Sequence, residues 1–332
     1  MERVALNSKL KKLVYDGAYK KYGKLLPEDI EIRIEKELKY IIDNKLAEIY
    51  LIAYKLVNIV KKDGYIVGNR GSIGSSVVAY CLDITEVDPI RYNIQFEIFA
   101  GIYGNKRPYI KISVPFEYVY NKIENQNIII IRGDFRTSII YNLKLLTGVS
   151  PTTILLDDKE TLEFICSGHM KEVVELSNSS EIILQIKPTT FEELIKIYGI
   201  AHGKRNWENN VKMLIQDGTA TLSEVISCQD DILDYLVSQE MEKHTAYEIM
   251  KYVIKPKRNN QWNKYKDIMK KHNIPEWYIN SCEKMDYLYP KAEIVSDLII
   301  DYRLVWYKVH YPNEYDKAFK NLVNKNYKDV TE

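Results

Sequence analysis

The sequence has only four cysteines, and no two of them stand at the spacing of a metal site. Cys81, Cys166, Cys228 and Cys282 are far apart along the chain, so there is no Cys-x-x-Cys pair. The five histidines likewise form no His-x-x-x-His pair. This pattern argues against a zinc knuckle or a disulfide framework, and it predicts four reduced and mostly buried thiols.

Long apolar stretches are also absent. The longest are short runs such as residues 128–131 and 298–300, whereas a helix needs about 20 apolar residues to cross a bilayer. Met1 is followed by Glu2, Arg3 and soon by a lysine-rich segment, which differs from a signal peptide. We therefore expect a cytoplasmic protein without a membrane partner.

The chain has no large excess of charge of either sign. It carries 47 Lys and Arg against 46 Asp and Glu, a net charge of +1 over 332 residues. A free-standing DNA-binding protein usually has a visibly basic surface, so neutrality counts against strong autonomous DNA binding unless charge is locally segregated. The hydrophobic content of 46% is typical of folded globular proteins and predicts one large domain or two ordinary ones.

Hydrophobic spacing predicts helices near the start of the chain and throughout its second half. Leu26-Pro27-Glu28-Asp29 is typical of a helix start, and apolar residues follow at helical spacing. Residues 65–67 are predicted to be a short strand, and residues 94–131 to be mostly extended. From about residue 154 onward nearly every segment favours helix. The predicted fold class is α+β, mostly helical, with an all-helical second domain.

Between the predicted strand and the next helix stands a glycine-rich loop. Its glycines allow the backbone to approach an anion, its serines supply hydroxyl donors, and a helix start near Ser75 would point free N–H groups at the loop. The pattern therefore suggests a phosphate-binding site, although an isolated glycine-rich loop is often only a turn. The candidate phosphate- or nucleotide-binding residues are Gly68, Arg70, Gly71, Ser72, Gly74, Ser75 and Ser76.

The surroundings of this loop resemble a known family. The sequence from Asp63 to Ser76, followed by Ile84-Thr85-Glu86-Val87-Asp88-Pro89, is similar to the palm of bacterial replicative DNA polymerases of the PolC type. In that family the loop grips the triphosphate of the incoming nucleotide. Further segments resemble the fingers in the family's order: Pro188–Phe191, Ala201–Gly203, Cys228–Ile232, Asn273–Ile279, Tyr289–Ala292 and Lys308–Pro312. The resemblance implies a polymerase-beta-like palm remnant over residues 1–153, and a helical fingers-like domain over residues 154–332.

The resemblance also exposes a departure at the metal-binding positions. Family members alternate two metal-binding aspartates on one strand, in the pattern Pro-Asp-Ile-Asp. This chain reads Pro108-Tyr109-Ile110-Lys111 there, and the third family aspartate corresponds to Ile130. Asp134 is the nearest acid, but its use would need a four-residue slip. The resemblance therefore implies no catalytic residues, only degenerate positions, and no metal or other cofactor.

Several family segments have no counterpart in the sequence. Between Val114 and Ile128 only a short linker stands where the family has a long segment with the thumb. The cysteine-rich zinc-binding insertion, the exonuclease and the clamp-binding tail are also missing. In the fingers, the family's Lys-Ala-His is Lys291-Ala292-Glu293.

A second candidate site is a basic segment with interleaved aromatic residues. Such a stretch is able to follow a nucleic-acid backbone and stack bases, although a run of charge is more often a solvated helix face. The residues proposed for nucleic-acid contact are Lys255, Lys257, Arg258, Trp262, Lys264 and Lys266.

Two functional hypotheses follow. The first is a catalytically inactive polymerase derivative that acts by binding nucleoside triphosphate, DNA or a replication protein, and so interferes with or regulates replication in its host. The alternative is one fragment of a split polymerase, an enzyme whose carboxylates come from another chain.

Overall fold

The computed structural model describes residues 2–101, 109–115, 118, 129–168, 174–203, 206–254, 261–285 and 287–329. These residues divide into two compact units, a first unit of Met1–Asp158 with Val295–Glu332 and a second unit of Lys159–Ile294. The first unit combines a small sheet with helices, and the second is helical. The predicted fold class, mostly helical α+β, is confirmed.

The helices and strands of the first unit come mainly from residues before Asp158. Their bounds are α1 Glu2–Tyr22, α2 Glu28–Asp43, α3 Ala47–Lys62, β1 Gly68–Arg70, α4 Val77–Cys81, α5 Glu97–Ala100, β2 Ile110–Val114, β3 Ile129–Gly133 and α6 Phe135–Thr147, with 3-10 turns at Ile73–Ser75 and Pro151–Thr153.

The second unit is built from short helices. Their bounds are α7 Lys159–Cys166, α8 Val174–Ser177, α9 Ser180–Ile186, α10 Phe191–His202, a π-helical turn Trp207–Val211, α11 Lys212–Gln216, α12 Gln229–Ser238, α13 Lys243–Val253, α14 Gln261–Lys271 and α15 Glu276–Lys284. The last two helices are α16 Lys291–His310 and α17 Pro312–Asp329. The unit boundary falls within α16, and α17 belongs to the first unit.

Among the described residues, the sheet has three strands in the order β1-β2-β3. β1 runs antiparallel to β2, with Arg70 opposite Lys111, and β3 runs parallel to β2, with Ile130 opposite Lys111. Branched side chains on β2 enter the core of the first unit, where Ile110, Ile112 and Val114 are buried. Because side chains alternate along a strand, Lys111 lies on the other face.

The predicted helix after Leu26 is confirmed as α2. Pro27 is its N-cap residue, and Glu28, Asp29 and Glu31 place negative charge in the first turn, where the helix dipole favours it. Its apolar stripe is buried at the expected helical spacing, as shown by Ile30, Ile34, Leu38 and Ile41.

The prediction of extended structure over residues 94–131 is wrong at Glu97–Ala100, which forms the short helix α5. Its Phe99 and Ile98 are buried, so the apolar residues that suggest a strand serve here to pack one helical turn. The strand predicted at residues 65–67 lies slightly later, at Gly68–Arg70. Of the segment between Gly101 and Ile129, the structure describes residues 109–115 and 118.

The predicted domain division at residues 153/154 differs from the division into compact units. The first unit extends to Asp158 and includes residues from Val295 onward, which the sequence analysis places with the fingers. Ser296 explains part of this association, because its Oγ accepts a hydrogen bond of 3.1 Å from the Asn69 backbone N–H beside the sheet. The assignment of palm and fingers to these segments stays a proposal.

In the second unit, two segments quoted for the family resemblance contact each other. The Gln229 backbone N–H donates to the Tyr289 carbonyl at 3.0 Å, and the Lys291 N–H donates to the Asp230 carboxylate at 2.8 Å. Asp231 closes the start of α12 by accepting from the Ser227 and Cys228 N–H groups. These residues therefore have structural roles at a helix start.

No helix among the described residues has both the length and the apolar character needed to cross a membrane.

Helices α1 and α4 approach each other closely at Gly17. A Cβ atom at this position would stand 1.9 Å from the Cys81 carbonyl oxygen, well inside van der Waals contact. The absence of a side chain at Gly17 therefore permits the packing of the two helices.

We expect Gly17→Ala to lower the free energy of unfolding by about 2–3 kcal/mol, because the new methyl group must push α4 away. In an unconstrained helix the same change would stabilise by up to about 1 kcal/mol. Urea unfolding checks this, with the neighbouring exposed Asp16→Ala as the control. Equal or higher stability of Gly17→Ala would contradict the close packing.

Candidate functional site

Two of the positions that the resemblance assigns to metal-binding aspartates, Lys111 and Ile130, pair directly in the sheet. Lys111 pairs across the strands with both Arg70 and Ile130, so these three residues form one row over β1, β2 and β3. Directly paired residues project to the same face of a sheet. Lys111 Nζ also lies 5.2 Å from the centre of the Tyr109 ring. The face on which the resemblance places metal-binding carboxylates therefore carries Arg70, Lys111 and Tyr109.

The glycine-rich loop adjoins this row. The backbone φ of Gly71 is 71°, a left-handed conformation that favours glycine, and a Cβ there would lie 3.9 Å from the Tyr109 ring. A Cβ at Gly68 would stand 2.9 Å from Cδ1 of Ile300 and 3.3 Å from Cβ of Ser113, so these neighbours would have to shift to admit a side chain. Only Arg70 and Ser72 of the seven candidate phosphate-binding residues are more than marginally exposed, whereas Gly74, Ser75 and the others are buried.

The helix start that was expected to hold phosphate is occupied from within the protein. The Glu37 carboxylate on α2 accepts hydrogen bonds from the Val77 N–H at 3.1 Å and the Val78 N–H at 3.2 Å. It also accepts from Ser76 Oγ at 2.7 Å, while Ser76 in turn caps Ala79 N–H. Both Ser75 and Ser76 are fully buried and Ser76 serves as the helix cap, which disfavours direct contact with phosphate. Their role in phosphate binding stays a prediction.

The Glu37 carboxylate is itself fully buried. Its counter-charge is Arg33, one helical turn earlier, whose Nε donates at 2.6 Å. Burial raises the pKa of Glu37, while the positive charge of Arg33 and the hydrogen bonds act in the opposite direction. An external anion would have to displace a satisfied internal carboxylate to reach these N–H groups.

Beside the loop lies a buried ionic cluster, hereafter the Arg136 cluster, made of Arg136, Asp134, Asp297, Asp301 and Arg70. Arg136 donates to Asp134 at 2.7 Å, to Asp297 at 2.8 Å and to Asp301 at 2.9 Å. Arg70 reaches Asp297 at 3.3 Å from the loop side. The side chain of Arg136 is only 4% exposed, and that of Asp301 is fully buried.

The cluster favours the ionised form of Asp134. Burial by itself raises the pKa of Asp134, but hydrogen bonds and charge from Arg136 bring it below its usual value. For Arg136, burial lowers the pKa, but the negative charges of Asp301, Asp134 and Asp297 raise it well above its ordinary value. The guanidinium thus stands where these three acids converge.

These residues do not fit divalent metal ions. Such ions need several carboxylate oxygens that are free to coordinate, whereas Asp134, Asp297 and Asp301 all bind Arg136. In the described part of the chain, no group of three or more His, Cys, Asp or Glu residues is arranged to hold a metal ion. Glu97, another acid near the loop, pairs with Lys36 at 2.7 Å.

The second candidate site is less favourable for stacking than its sequence suggests. Lys255, Lys257 and Arg258 lie outside the described residues. Trp262 is only 6% exposed and stacks on Tyr252, with parallel rings 6.0 Å apart. Trp262 therefore packs as a core residue, which disfavours base stacking, and its role in nucleic-acid contact stays a prediction.

The two described lysines of this site differ. Lys264 is exposed on α14, whereas Lys266 lies 3.7 Å from Glu283. Contact of this helix with a nucleic-acid backbone stays a prediction.

Sequence reasoning missed Arg136, Asp297 and Asp301. One signal was available, because Asp297 and Asp301 are four residues apart on a helix and so lie on the same face. Their partner Arg136 is more than 160 positions away, and no local pattern connects it to them.

Two models of the same family match this chain. The "Bacterial DNA polymerase III alpha NTPase domain" matches residues 8–152, and the "Bacterial DNA polymerase III alpha subunit finger domain" matches residues 137–274. The chain belongs to the bacterial DNA polymerase III alpha family. The resemblance found in the loop and in the fingers-like segments is thereby confirmed over most of the sequence.

Proteins named "DNA polymerase III PolC-type" are similar to this member of the family. The protein from Caldanaerobacter subterraneus subsp. tengcongensis is 26% identical over 92% of this chain and 33% of its own length. Those from Bacillus subtilis and Thermotoga maritima are 27% and 28% identical, over 94% and 93% of this chain and 33% and 34% of their own lengths. This polymerase relative thus spans about a third of the length of the curated proteins it matches.

The alignments also show internal differences in length. The match to the Caldanaerobacter protein extends over 467 positions, more than the 332 residues of this chain. The relative therefore contains internal segments that the present member of the polymerase III alpha family lacks. This agrees with the short linker between Val114 and Ile128.

We expect Arg136→Met to lower the free energy of unfolding by about 3–5 kcal/mol near neutral pH, because it leaves buried carboxylates without their counter-charge. The loss should shrink toward about pH 4. Asp134 has a lowered pKa in the wild type, so the stability it contributes above its ordinary pKa is lost as the pH falls. In the variant, Arg136 no longer offsets the burial of Asp134. Protonation of this carboxylate at low pH then removes an unpaired buried charge and recovers part of the lost stability.

Urea unfolding at both pH values measures this, with exposed Arg91→Met as the matched control. A pH-independent difference between the wild type and Arg136→Met would show that lost packing, and not lost charge, causes the effect.

Proposed function

We propose that this chain is a catalytically inactive PolC-type polymerase derivative that acts by binding a phosphate-bearing replication ligand, the DNA backbone or a nucleoside triphosphate. The row of Arg70, Lys111 and Ile130 across the sheet is the observation that carries the proposal. Two of its three members are cationic or apolar replacements for metal-binding aspartates, and the third is the arginine of the loop.

The loss of catalysis follows from the chemistry of phosphoryl transfer. Metal ions in such reactions neutralise charge on the transferred group and position the attacking and leaving oxygens. Lys111 places a positive charge in the centre of the sheet, where it repels a divalent cation. The nearby acids are held by Arg136, so a small rearrangement of their side chains would not release a metal site.

The same face retains features suited to an anion. Lys111 and Arg70 are direct neighbours on adjacent strands, and Ser72 adds a partly exposed hydroxyl at the edge of the loop. Asp297 offsets part of the charge of Arg70 at 3.3 Å, so Lys111 is the stronger contributor. Cationic side chains on one face supply the sequence-independent part of DNA binding.

We expect no primer extension by the purified chain with magnesium or manganese, because the metal-binding carboxylates are replaced. The combined changes Tyr109→Asp, Lys111→Asp and Ile130→Asp should not restore extension either. The segment between Val114 and Ile128 is too short to position primer and nucleotide, and positioning provides much of the rate enhancement.

A gel-based extension assay measures both expectations, with an active PolC-type polymerase as the positive control. Metal-dependent incorporation that survives further purification would refute the loss of catalysis. Extension only after mixing with a second chain that supplies carboxylates would support the split-polymerase alternative instead.

For binding, we expect Lys111→Met to weaken the affinity for short primer–template DNA. Removal of one phosphate contact should also reduce the slope of log K against log salt by about 1. Lys11→Met, an exposed lysine on α1, is the control and should leave both quantities unchanged.

Fluorescence anisotropy over a salt series provides the measurement, and isothermal titration with nucleoside triphosphates tests the smaller ligand. Wild-type protein that binds neither DNA nor triphosphate would refute this proposal. Equal effects of Lys111→Met and Lys11→Met would indicate that the binding surface is not on this face of the sheet.

A further inference from the structure

The first unit contains a cavity away from the former polymerase centre. Its volume is about 420 Å³, within the usual range for small-molecule sites. Three lysines line it, Lys21 from α1, Lys61 from α3 and Lys144 from α6. Cationic side chains from three separate helices thus meet around one space.

Two of these ammonium groups are held by backbone carbonyls. Lys61 Nζ donates to the Asp83 carbonyl at 2.9 Å, and Lys144 Nζ donates to the Gly64 carbonyl at 3.2 Å. Within the part of the chain that the structure describes, neither ammonium group lies within ion-pair distance of a carboxylate. A carbonyl bond uses one of the three donors of an ammonium group and, because the carbonyl is neutral, does not neutralise its charge.

The carboxylates that line the cavity already have partners. Asp83 is 2.7 Å from Lys21 Nζ, and Glu86 is 2.7 Å from the guanidinium of Arg303. Arg303 and the lysines lower the pKa of Glu86 despite its burial. Both acids of the lining are therefore in ion pairs with Lys21 and Arg303. Lys61 and Lys144 give the cavity more positive than negative charge.

Burial makes this excess charge costly. It lowers the pKa of Lys61, and the positive charges of Lys21 and Arg303 lower it further, while Glu86 and Asp83 only partly oppose them. A bound anion in the cavity would stabilise the charged amine.

The rest of the lining offers hydroxyl and aromatic groups. Ser150 and Thr152 stand at the 3-10 turn beside the cavity, and their hydroxyl oxygens are 3.0 Å apart. Tyr65 and Tyr80 also line it; Tyr65 is stacked on Tyr141, with ring centres 3.9 Å apart. Hydroxyl donors next to ammonium groups suit a tetrahedral anion with several acceptor oxygens.

We propose that this lysine-lined cavity binds a phosphate group, either free inorganic phosphate or the phosphate of a small monoester such as a nucleoside monophosphate. Lys61 and Lys144 provide the charge, and Ser150 and Thr152 provide hydroxyl donors. The tyrosines adjoin the space that an organic substituent of a monoester would occupy.

The cavity is separate from the loop. Gly64, Tyr65 and Ile66 of its lining precede β1, whereas Arg70 ends that strand and projects into the Arg136 cluster. Phosphate binding at the cavity therefore does not depend on the proposed function of the sheet face. Failure of one site leaves the other unaffected.

Isothermal titration of the full chain with inorganic phosphate and with adenosine monophosphate tests the proposal, and adenosine is the uncharged control. We expect phosphate, the monoester or both to bind, and adenosine not to bind. Lys61→Met and Lys144→Met should each weaken binding about tenfold or more, as expected for one charge-assisted hydrogen bond. Lys55→Met, exposed on the same helix as Lys61, should not change it.

A thermal unfolding series separates lost binding from lost structure. Phosphate should raise the Tm of the wild type and of Arg70→Ala, but not that of Lys61→Met. Lys61→Met should fold normally in the absence of phosphate, since it removes a buried charge without breaking an ion pair. The proposal is overturned if neither anion binds, if Lys55→Met weakens binding as much as Lys61→Met, or if only Arg70→Ala abolishes it.

Discussion

The ion pairs of Arg136 connect parts of the first unit that are distant in sequence. Asp134 stands where β3 ends and α6 begins, whereas Asp297 and Asp301 belong to α16. One guanidinium binds all three, and Arg70 adds a contact from the end of β1. Its planar set of five donors suits simultaneous contact with several carboxylates. The buried cluster thereby joins the end of β1, the start of α6 and the middle of α16.

Burial and internal hydrogen bonds give the glycine-rich loop a structural role. The loop sequence is typical of phosphate binding, yet most of its residues are buried, and the helix after it is capped by Glu37. Gly68 favours close packing against Ile300, and Gly71 favours the left-handed backbone conformation, whether or not a ligand is present. The motif therefore has a structural reason to exist in this chain, and functional claims rest on Arg70, Ser72 and Lys111.

Much of the fold could be predicted from sequence because its signals are local. The stripe of Ile30, Ile34, Leu38 and Ile41 specifies an amphipathic helix by spacing alone, and Gly148 ends α6 in the left-handed conformation expected of a helix-terminating glycine. Short segments were harder, since one turn of helix at Glu97–Ala100 and one strand have similar apolar content.

The site was predicted only in part for the same reason. The degenerate positions Tyr109, Lys111 and Ile130 followed from a motif and strand alternation. The row of Arg70, Lys111 and Ile130 depends on the register between strands, and the Arg136 cluster depends on contacts over long sequence distances. Burial of Ser75, Ser76 and Trp262 likewise depends on residues packed against them, such as Tyr50 near Ser76 and Tyr252 beside Trp262. Composition shows that such residues can bind ligands, but not whether the fold leaves them accessible.

The Glu37 carboxylate makes the loop dependent on a helix that precedes it by some forty residues. Its bonds to Val77 and Val78 form only when α2 has docked, so α4 should gain its first turn late in folding, together with long-range contacts. A peptide that contains the loop and α4 but not α2 would expose the two N–H groups and lose their acceptor. Transplanting this loop into another scaffold would consequently require the buried acid from α2 as well as the glycines.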